Sequence, residues 1–523
     1  MQEEHRHWAD GVAEELLKRT GKQVLETGTS ISGIPHIGNA SDVIRADAIR
    51  KTLDGKAAEV ELIWVADDSD PFRKVPRGME SLKDYLGFPV KDIPDPYGCH
   101  KNFVEHFVSK FVTELADYGV KPTIYSGTEL YRSRALNEEI KIALEKSKDI
   151  VAILNKFRTT PLPEDHIPWT PICAGCGRIS TAKAYERNGT KVKYVCKTTK
   201  VTGGEAEGCG FEGEADALKG MGKMPWRVEW AARWHHFKVT CEPLGKEHAA
   251  AGGSFWTSIE VSKEIFGWEP PLPVIYEFFT LNGEKISSSR GNVITLSEWE
   301  SICEPEVLKF LMYKRLNKQR DINLSTIPVL VDEYDEAERF FFGTGDLNED
   351  AVKAKRSYEL SQVGDARFLQ VPFTLCTTLS QIVPDLDIER ISKKLAALGY
   401  KSFDHEMLER RLTLSKNWVD SFGPENLKFK LLADEDSSKE YAKLDVKQKE
   451  ALEKLYGELN ANYTPEQFHK RIYETARGIG LKPDMLFEAI YKVFIGKSKG
   501  PKAASFILTL DKDFVEKRFA IHP

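Results

Sequence analysis

Apolar and polar positions follow two different rhythms along the chain, and the change of rhythm divides it. In the first half, short continuous apolar runs alternate with stretches whose apolar residues recur every three or four positions. Residues 22–27 (KQVLET) read as a strand, a Gly/Ser-rich turn follows, and HIGNASDVIRADAIRKTL reads as a helix ending at Gly55. Residues 60–65 (VELIWV) form the next apolar run, closing on Ala66-Asp67-Asp68. Unbroken apolar runs separated by helices are the pattern of a parallel sheet covered on both faces. Phe103, Phe107, Phe111 and Leu115 predict an amphipathic helix over 101–118. Residues 122–126 read as a further strand and 129–156 as one long helical stretch of alternating charge.

Residues 170–215 interrupt this rhythm with a cysteine cluster, many glycines and short β-type runs such as 191–195, the pattern of a small inserted module. The α/β pattern then resumes, with a Gly-Gly break at 252–253, a helix through Phe266, a strand over 273–279 and a turn at Leu281-Asn282-Gly283-Glu284. From about residue 296 the pattern is helical to the end. Thr464-Pro465-Glu466-Gln467 combines an N-cap, a first-turn proline and a capping-box glutamine, and Lys482-Pro483-Asp484 marks another helix junction. No internal repeat or low-complexity tract is present, so the C-terminal part reads as a helical bundle of its own.

The 523 residues correspond to roughly three to four domains of about 150 residues. With 41% hydrophobic and 29% charged residues the composition is that of a folded globular protein and excludes disorder as the main state. No apolar stretch approaches the roughly 20 residues of a membrane span. The opening MQEEHRHWADGVAEELLKR is charged and helical in pattern, without an apolar signal core, and a cytoplasmic protein is expected. Net charge is −6, which neither supports nor excludes a nucleic-acid partner, because binding depends on local patches.

Candidate chemistry begins at Thr27-Gly-Thr-Ser-Ile-Ser-Gly-Ile-Pro-His36-Ile-Gly38-Asn39, where a strand should turn into a helix. Such a corner offers free backbone N–H groups and the positive helix end to an anion. Gly28 and Gly33 let the backbone approach a ligand, and His36 and Asn39 stand as donors in the first turn, suited to ATP phosphates. The plain alternative is a capped helix with an incidental histidine. A second element, Lys285-Ile286-Ser287-Ser288-Ser289-Arg290-Gly291-Asn292, places a lysine and several hydroxyls on a Gly-flanked loop, suited to charge on a transferring phosphate. Its alternative is a solvated Ser-rich linker.

Eight cysteines are present, and four crowd into the insert as Cys173-x₂-Cys176-x₁₉-Cys196-x₁₂-Cys209. This spacing suits a tetrahedral zinc site that holds a module with little core. The wide second interval leaves open a three-cysteine site with another ligand, and unrelated free thiols are the remaining alternative. A second candidate is Asp95-x₃-Cys99-His100-x₅-His106. Cys99 and His106 on one helix would lie about 10 Å apart, too far to share an ion. Cys99 and His100 must therefore precede the helix, with Asp95 folding back through Pro96 and Gly98. Here a structural His106 and a buried Cys99 are the alternative.

The pair of motifs resembles the HIGH and KMSKS signatures of class I aminoacyl-tRNA synthetases. Their longer contexts (TGTSISGIPHIGN, WVADDSDPFRKVP, GKEHAAAGGSF, KISSSRGN) are similar to the class I lysyl-tRNA synthetases typical of archaea and some bacteria. The likeness is strong over about residues 20–300 and extends to the rest by general layout. Asn39 and Ser288 depart from the fourth HIGH and KMSKS positions, leaving Lys285 as the sure loop cation and Arg290 to supply part of the missing charge. The fold this resemblance implies is α/β: a Rossmann-like doubly wound parallel-sheet catalytic domain (1–170 and 216–292) with an inserted small zinc module (171–215). A connecting, stem-contacting helical region (293–350) and a C-terminal all-α helical anticodon-binding domain (351–523) follow.

The implied chemistry is activation of L-lysine by ATP, with Mg²⁺, and transfer to lysine tRNA. His36, Asn39, Lys285, Ser287 and Ser288 take the catalytic roles in this reading. The implied amino-acid pocket maps to Gly28, Ser30, Trp226, His248 and Tyr276, while Trp226, Trp230 and Trp234 at helical spacing also read as core. Tyr276-Glu277 and Asp67-Asp68 are the acceptors available to the substrate ammonium, Asp67 and Asp68 also reading as helix caps. Lys492, Lys497, Lys499 and Lys502 form a basic loop that suits phosphate or is simply solvated. A monomer is expected, with one or two structural zinc ions. The competing readings are a class I synthetase of glutamyl type, whose pocket needs a cation, and a non-enzymatic zinc-containing RNA-binding protein.

Overall fold

Five parallel strands carry the first half: β1 (Gln23–Thr29), β2 (Val60–Ala66), β3 (Thr123–Ser126), β4 (Cys241–Gly245) and β5 (Leu272–Tyr276). Their spatial order is β5-β4-β1-β2-β3, and every pairing is parallel. The computed structural model describes residues 6–31, 33–286, 291–345, 348–457, 459 and 463–519. All residues of β4 are buried, as are all of β1 except Gly28, which explains why these strands read as unbroken rather than alternating runs. The chain steps from β1 outward through β2 to β3, then returns to the other side of β1 for β4 and β5. That reversal opens a crevice beyond the carboxyl ends of β1 and β4, where open α/β sheets bind their ligands.

Helix α1 (Ile37–Asp54) follows β1, α2 (Phe103–Asp117) precedes β3, and α3 (Trp226–Phe237) leads into β4. In α2 the side chains of Phe103, Phe107, Phe111 and Leu115 are buried, as their spacing predicts. The long helical stretch expected over 129–156 is instead three helices, Gly127–Arg132, Asn137–Glu145 and Ser147–Lys156. Arg134 adopts the left-handed conformation (φ +69°) between the first two, a break that charge patterning does not announce. The strand expected over 273–279 ends at Tyr276, because the Glu277 N–H leaves the sheet to donate to the Leu316 carbonyl (2.8 Å). Phe279–Leu281 joins a separate sheet, antiparallel to Glu284–Lys285 and parallel to Arg320–Ile322, a short strand in the stretch read as helical.

The insert forms a three-stranded antiparallel sheet (Ala182–Asn188, Lys191–Cys196, Glu212–Asp216) and a small hairpin (Thr199–Val201, Gly204–Ala206). Its own buried cluster is Cys173, Ala182, Tyr194 and Cys196, far too little apolar surface to hold a module alone. It is tied to the segment after β2 by backbone bonds: Ile179 and Ser180 N–H donate to Gly87 O (2.8 and 3.1 Å), and Gly203 N–H donates to Arg73 O (2.7 Å).

The chain separates into two compact units, the first comprising Met1–Glu298, Leu308–Asn323 and Leu347–Gly364, the second Trp299–Val307, Leu324–Asp346 and Asp365–Pro523. The stretch 293–350 is thus shared between them. The second unit is built of helices around a core that includes Leu412, Leu452, Ile472, Ile490 and Phe494. The Thr464 capping box forms as read, with Thr464 Oγ1 accepting from Gln467 N–H and Gln467 Oε1 accepting from Thr464 N–H. Inside this unit the buried Arg411 guanidinium bridges Glu304 (2.7 Å) and Asp335 (2.8 Å) and donates to Val371 O (3.0 Å). Breaking such a buried network leaves its carboxylates unpaired. Arg411→Ala should therefore lower stability by about 3–5 kcal/mol in chemical denaturation; a loss under 1 kcal/mol would remove this arginine from the account.

Candidate active site

His36 and Asn39 meet at the N-terminus of α1 in a reciprocal cap. Extended backbone at His36 (φ −142°) turns its ring onto the helix, where Nδ1 accepts the Gly38 N–H (3.0 Å), while Asn39 Oδ1 accepts the His36 N–H (3.1 Å). Gly38 is required here, since a Cβ would fall 2.7 Å from the imidazole. Burial pushes the His36 imidazole down to about 4, so it is neutral at physiological pH. An accepting Nδ1 assigns the proton to Nε2. Both side chains have spent their acceptors on the cap, and what remains is donors: the His36 Nε2–H and the Asn39 amide N–H₂.

The second motif closes on the same place. Asn282 and Gly283 both have positive φ (+52° and +81°), the signature of a type I′ turn, and the tight hairpin carries Lys285 on its return strand. Lys285 is exposed, with Nζ 5.4 Å from the Phe278 ring centre. Ser287 and Ser288, like Ser289 and Arg290, lie outside the described residues. Past them, Asn292 Nδ2 reaches Glu284 Oε2 (3.5 Å) across the base of the loop, and Ile294 O accepts the N–H of Ile37, the first residue of α1 (3.0 Å). The base of the serine loop and the histidine corner are thus hydrogen-bonded to each other.

The five residues mapped to an amino-acid pocket do not stand together equally. Gly28 lies beneath the Arg233 guanidinium, whose Nη2 would be 3.0 Å from a Cβ there. Arg233, on α3, donates to Glu26 of β1 (2.7 Å) and to Asp67 at the end of β2 (2.6 Å), and passes 5.3 Å over the Trp226 ring. Trp226 is half-buried and stacks on Trp230 (5.0 Å, 20°), against which His248 packs edge-on (5.6 Å). Gly28, Trp226 and His248 thereby converge through Arg233 and Trp230. Ser30 is exposed next to them, its hydroxyl 3.4 Å from Asp70. Tyr276 is set apart: it is buried, Arg45 lies 4.0 Å over its ring, and its hydroxyl donates to Asp42. Trp230 and Trp234 are core, both indole N–H groups donating to Glu242.

Of the acceptors proposed for an ammonium, Asp67 is engaged by Arg233 and Asp68 caps the helix after β3, accepting the Thr128 N–H (2.6 Å). Glu277 pairs with Lys246 (2.7 Å). Lys223 meets Asp70 (2.5 Å) and Glu229 (3.1 Å), and Tyr131 donates to Glu229 (2.8 Å). Around this cluster Glu26, Asp67, Asp70, Glu229 and Glu242 outnumber Arg233 and Lys223. Burial raises the Glu26 and Asp67 carboxyls while the guanidinium between them lowers both. Sequence reading missed Arg233 and Asp42. The first had a signal, the Glu229/Arg233 spacing interleaved with three tryptophans. The second lies one turn beyond Asn39, its carboxyl pushed up to about 8 by burial against the pull of Arg45.

Both cysteine clusters assemble. The sulfurs of Cys173, Cys176, Cys196 and Cys209 lie within 4.8 Å of one another, with 3.7 Å between Cys173 and Cys209 and between Cys176 and Cys196. A disulfide needs about 2.05 Å, whereas four thiolates about 2.3 Å from one tetrahedral ion sit near 3.8 Å apart. In the second cluster Asp95, Cys99, His100 and His106 also gather within 4.8 Å. Gly98 (φ +71°) turns the chain back, Asp95 Oδ2 accepts the N–H groups of Cys99 and His100 (2.8 Å each), and α2 begins only at Phe103. Cys99 Sγ is 3.1 Å from His100 Nδ1 and 3.2 Å from His106 Nδ1. Cys99 is exposed, not the buried thiol of the alternative reading. In the C-terminal basic loop, Lys492 pairs with Glu488 (2.7 Å) and Lys497 donates to the Glu425 and Lys428 carbonyls, so two of the four lysines read as phosphate contacts are occupied internally.

A family profile described as tRNA synthetases class I (K) matches residues 6–364. A lysine–tRNA ligase of Methanosphaera stadtmanae is 37% identical, over 99% of this chain and 99% of its own length. Lysine–tRNA ligases of Methanocaldococcus jannaschii and Pyrococcus horikoshii are each 37% identical, over 98% of this chain and 99% of their own.

The depressed His36 value has a stability consequence. Between pH 6.5 and about 4 the unfolded chain binds a proton that the folded corner does not, so stability falls as pH drops through that window. His7, buried and also pushed down to about 4, adds a second contribution. His36→Asn should flatten the pH dependence of the urea midpoint between pH 4 and 6.5 while leaving the His7 part; an unchanged slope would contradict a buried neutral imidazole.

Proposed function

The chain belongs to the class I lysine-type aminoacyl-tRNA synthetases, and on that premise we propose that it activates L-lysine with ATP and transfers it to the 3′ end of lysine tRNA. The observation that carries the proposal is the Ile37–Ile294 hydrogen bond, which seats the base of the Lys285 loop on the first turn of α1. A triphosphate at this junction meets His36 Nε2–H, the Asn39 amide and the Lys285 ammonium, donors with no competing acceptor among the described residues; Ser287 and Ser288 join them on the sequence reading. The lysine carboxylate attacks the α-phosphorus, forming lysyl-adenylate as the bond to pyrophosphate breaks. A ribose hydroxyl of the terminal tRNA adenosine then attacks the mixed anhydride, releasing AMP. Neither step needs a protein nucleophile, so the chain contributes position and charge. Mg²⁺ belongs to the nucleotide and neutralises its phosphate oxygens.

Lysine, rather than glutamate, suits the pocket of Gly28, Ser30, Trp226 and His248. Stacked indoles accept an aliphatic stem, and the carboxylate excess around Arg233 favours a cationic substrate. A glutamyl enzyme would need a free cation there, and Arg233 is committed to Glu26 and Asp67. In this reading Tyr276 acts from behind, through Asp42. Domain roles follow the sequence division: catalysis at 1–170 and 216–292, a zinc module at 171–215, stem contact at 293–350 and anticodon binding at 351–523, in a cytoplasmic monomer. The cysteine spacing of 3.7 Å fits Zn²⁺, which supplies a closed tetrahedral crosslink where core is scarce; Asp95, Cys99, His100 and His106 offer it a second donor set.

Pyrophosphate exchange across the amino acids, with and without tRNA, tests the function: lysine should support it, and exchange with glutamate alone would overturn the assignment. Lys285→Ala should slow adenylate formation about 100-fold with lysine affinity unchanged; equal losses of both would remove Lys285 from the phosphates. Metal analysis should find two zinc ions per chain, one lost in Cys173→Ala and the other in His106→Ala. A single ion, lost with Cys173, would eliminate the second centre.

A further inference from the structure

The three carboxylates that read as acceptors for a substrate ammonium are taken: Asp67 by Arg233, Asp68 by the Thr128 N–H and Glu277 by Lys246. Asp42 is not taken. It lies on α1 three residues beyond Asn39, a rise of about 4.5 Å along the axis, and is half-buried. Tyr276, at the carboxyl end of β5, donates its hydroxyl to Asp42 Oδ1. Among the described residues no donor reaches Oδ2, and Asp42 makes no ion pair.

The neighbouring charges leave this carboxylate short of a cation. Arg45, one turn further along α1, is turned to the aromatic rings: its guanidinium lies 4.0 Å over Tyr276 and 5.5 Å from the centre of Phe279, and Nη1 donates to Ser41 O (3.1 Å). From the other side, Glu247 follows the carboxyl end of β4 and folds back over Gly245, where a Cβ would fall 2.7 Å from its Oε2. Burial raises the Asp42 carboxyl, Arg45 lowers it and Glu247 raises it again, leaving it at about 8. The empty crevice thus disfavours a negative charge that an arriving cation would stabilise.

We infer that Asp42 receives the α-ammonium of the amino-acid substrate on Oδ2, with Tyr276 holding Oδ1 from behind. Position decides which end of the substrate it meets. The carboxylate that attacks the α-phosphorus must lie beside the His36–Asn39 corner, and the α-ammonium is two bonds from its carbon. The side-chain ammonium runs the other way, past the stacked indoles toward the carboxylates around Arg233. An ammonium carries three donors and no acceptor, which suits an oxygen whose carboxylate is already anchored through its other atom. This division accounts for the separation of Tyr276 from the other four pocket residues: it serves the reacting end, while they serve the stem. The inference rests on the synthetase reading and adds to it the residue that orients the attacking carboxylate.

The test titrates the full-length protein calorimetrically with lysine, with 6-aminohexanoate, which lacks the α-ammonium, and with norleucine, which lacks the side-chain ammonium. The wild type should prefer lysine to both. Asp42→Asn should weaken lysine about 10- to 100-fold and remove most of its preference over 6-aminohexanoate. Its preference over norleucine and the KM for ATP should persist. Because Asp42 must ionise to receive the ammonium, wild-type affinity for lysine should rise from pH 6 to 8 more steeply than that of the variant. At pH 7 the wild type should release more protons on binding lysine than on binding 6-aminohexanoate, an excess of about one that Asp42→Asn removes. Tyr276→Phe keeps the ring beneath Arg45 and should narrow the preference over 6-aminohexanoate to a lesser degree, which guards against a folding defect. An Asp42→Asn protein that keeps that preference, or that loses the preference over norleucine instead, would overturn the assignment. A wild type that exchanges pyrophosphate with glutamate and not with lysine refutes the function alone. Glutamate against glutarate then tests Asp42, since both amino acids carry the same α-ammonium.

Discussion

Arg233 holds the parallel-sheet half together. Its guanidinium, 1% exposed, lies between a carboxylate in the middle of β1 and another at the end of β2, and it is delivered by the helix that feeds β4. One side chain thus fixes the spacing of three elements across the crevice where the sheet reverses direction. A buried cation of this kind is tolerable only because carboxyl groups lie close to it on both sides. It also dictates what can lie above it: Gly28 has no side chain because the guanidinium occupies that space. The glycine of the first motif is therefore as much a packing requirement of Arg233 as an accommodation for ligand.

Much of this architecture was legible in the chain. Continuous apolar runs gave the strands, Phe103, Phe107, Phe111 and Leu115 gave the buried face of α2, and the Asn282-Gly283 pair gave a turn whose two positive φ values the structure shows. The fold-back at Asp95 followed from arithmetic alone, since two ligands a helical distance apart cannot share an ion. The misreadings share one cause: local pattern carries no information about distant partners. The residues 129–156 looked like one helix because their charges alternate, whereas the left-handed Arg134 divides the first helix from the second and Lys146 the second from the third. The strand at 273 looked longer because Glu277 and Phe278 continue the run, while the bond that turns the chain away comes from Leu316. Asp68 had two readings, acceptor for an ammonium or helix cap, and the Thr128 amide bears out the cap.

The site itself was half visible. His36, Asn39 and Lys285 stand out by motif, yet their chemistry depends on which of their atoms are already used. The cap consumes His36 Nδ1 and Asn39 Oδ1, turning two ambivalent side chains into pure donors. An asparagine in place of a second histidine is therefore well suited here: its oxygen closes the cap while its nitrogen stays free. Asp42 and Arg45 were invisible by contrast, since more than 200 residues separate them from Tyr276 in the chain.

The backbone bonds from Ile179, Ser180 and Gly203 to the segment after β2 mean that the cysteine insert is not a transplantable cassette. Excision would strip the Gly87 and Arg73 carbonyls of their donors and uncover the loop that leads out of β2. Lineages that shorten or exchange this insert would have to rebuild the ground it stands on, and the architecture is therefore free to vary at the exposed 188–191 turn but not at the seam, which includes the tip of the small hairpin at Gly203.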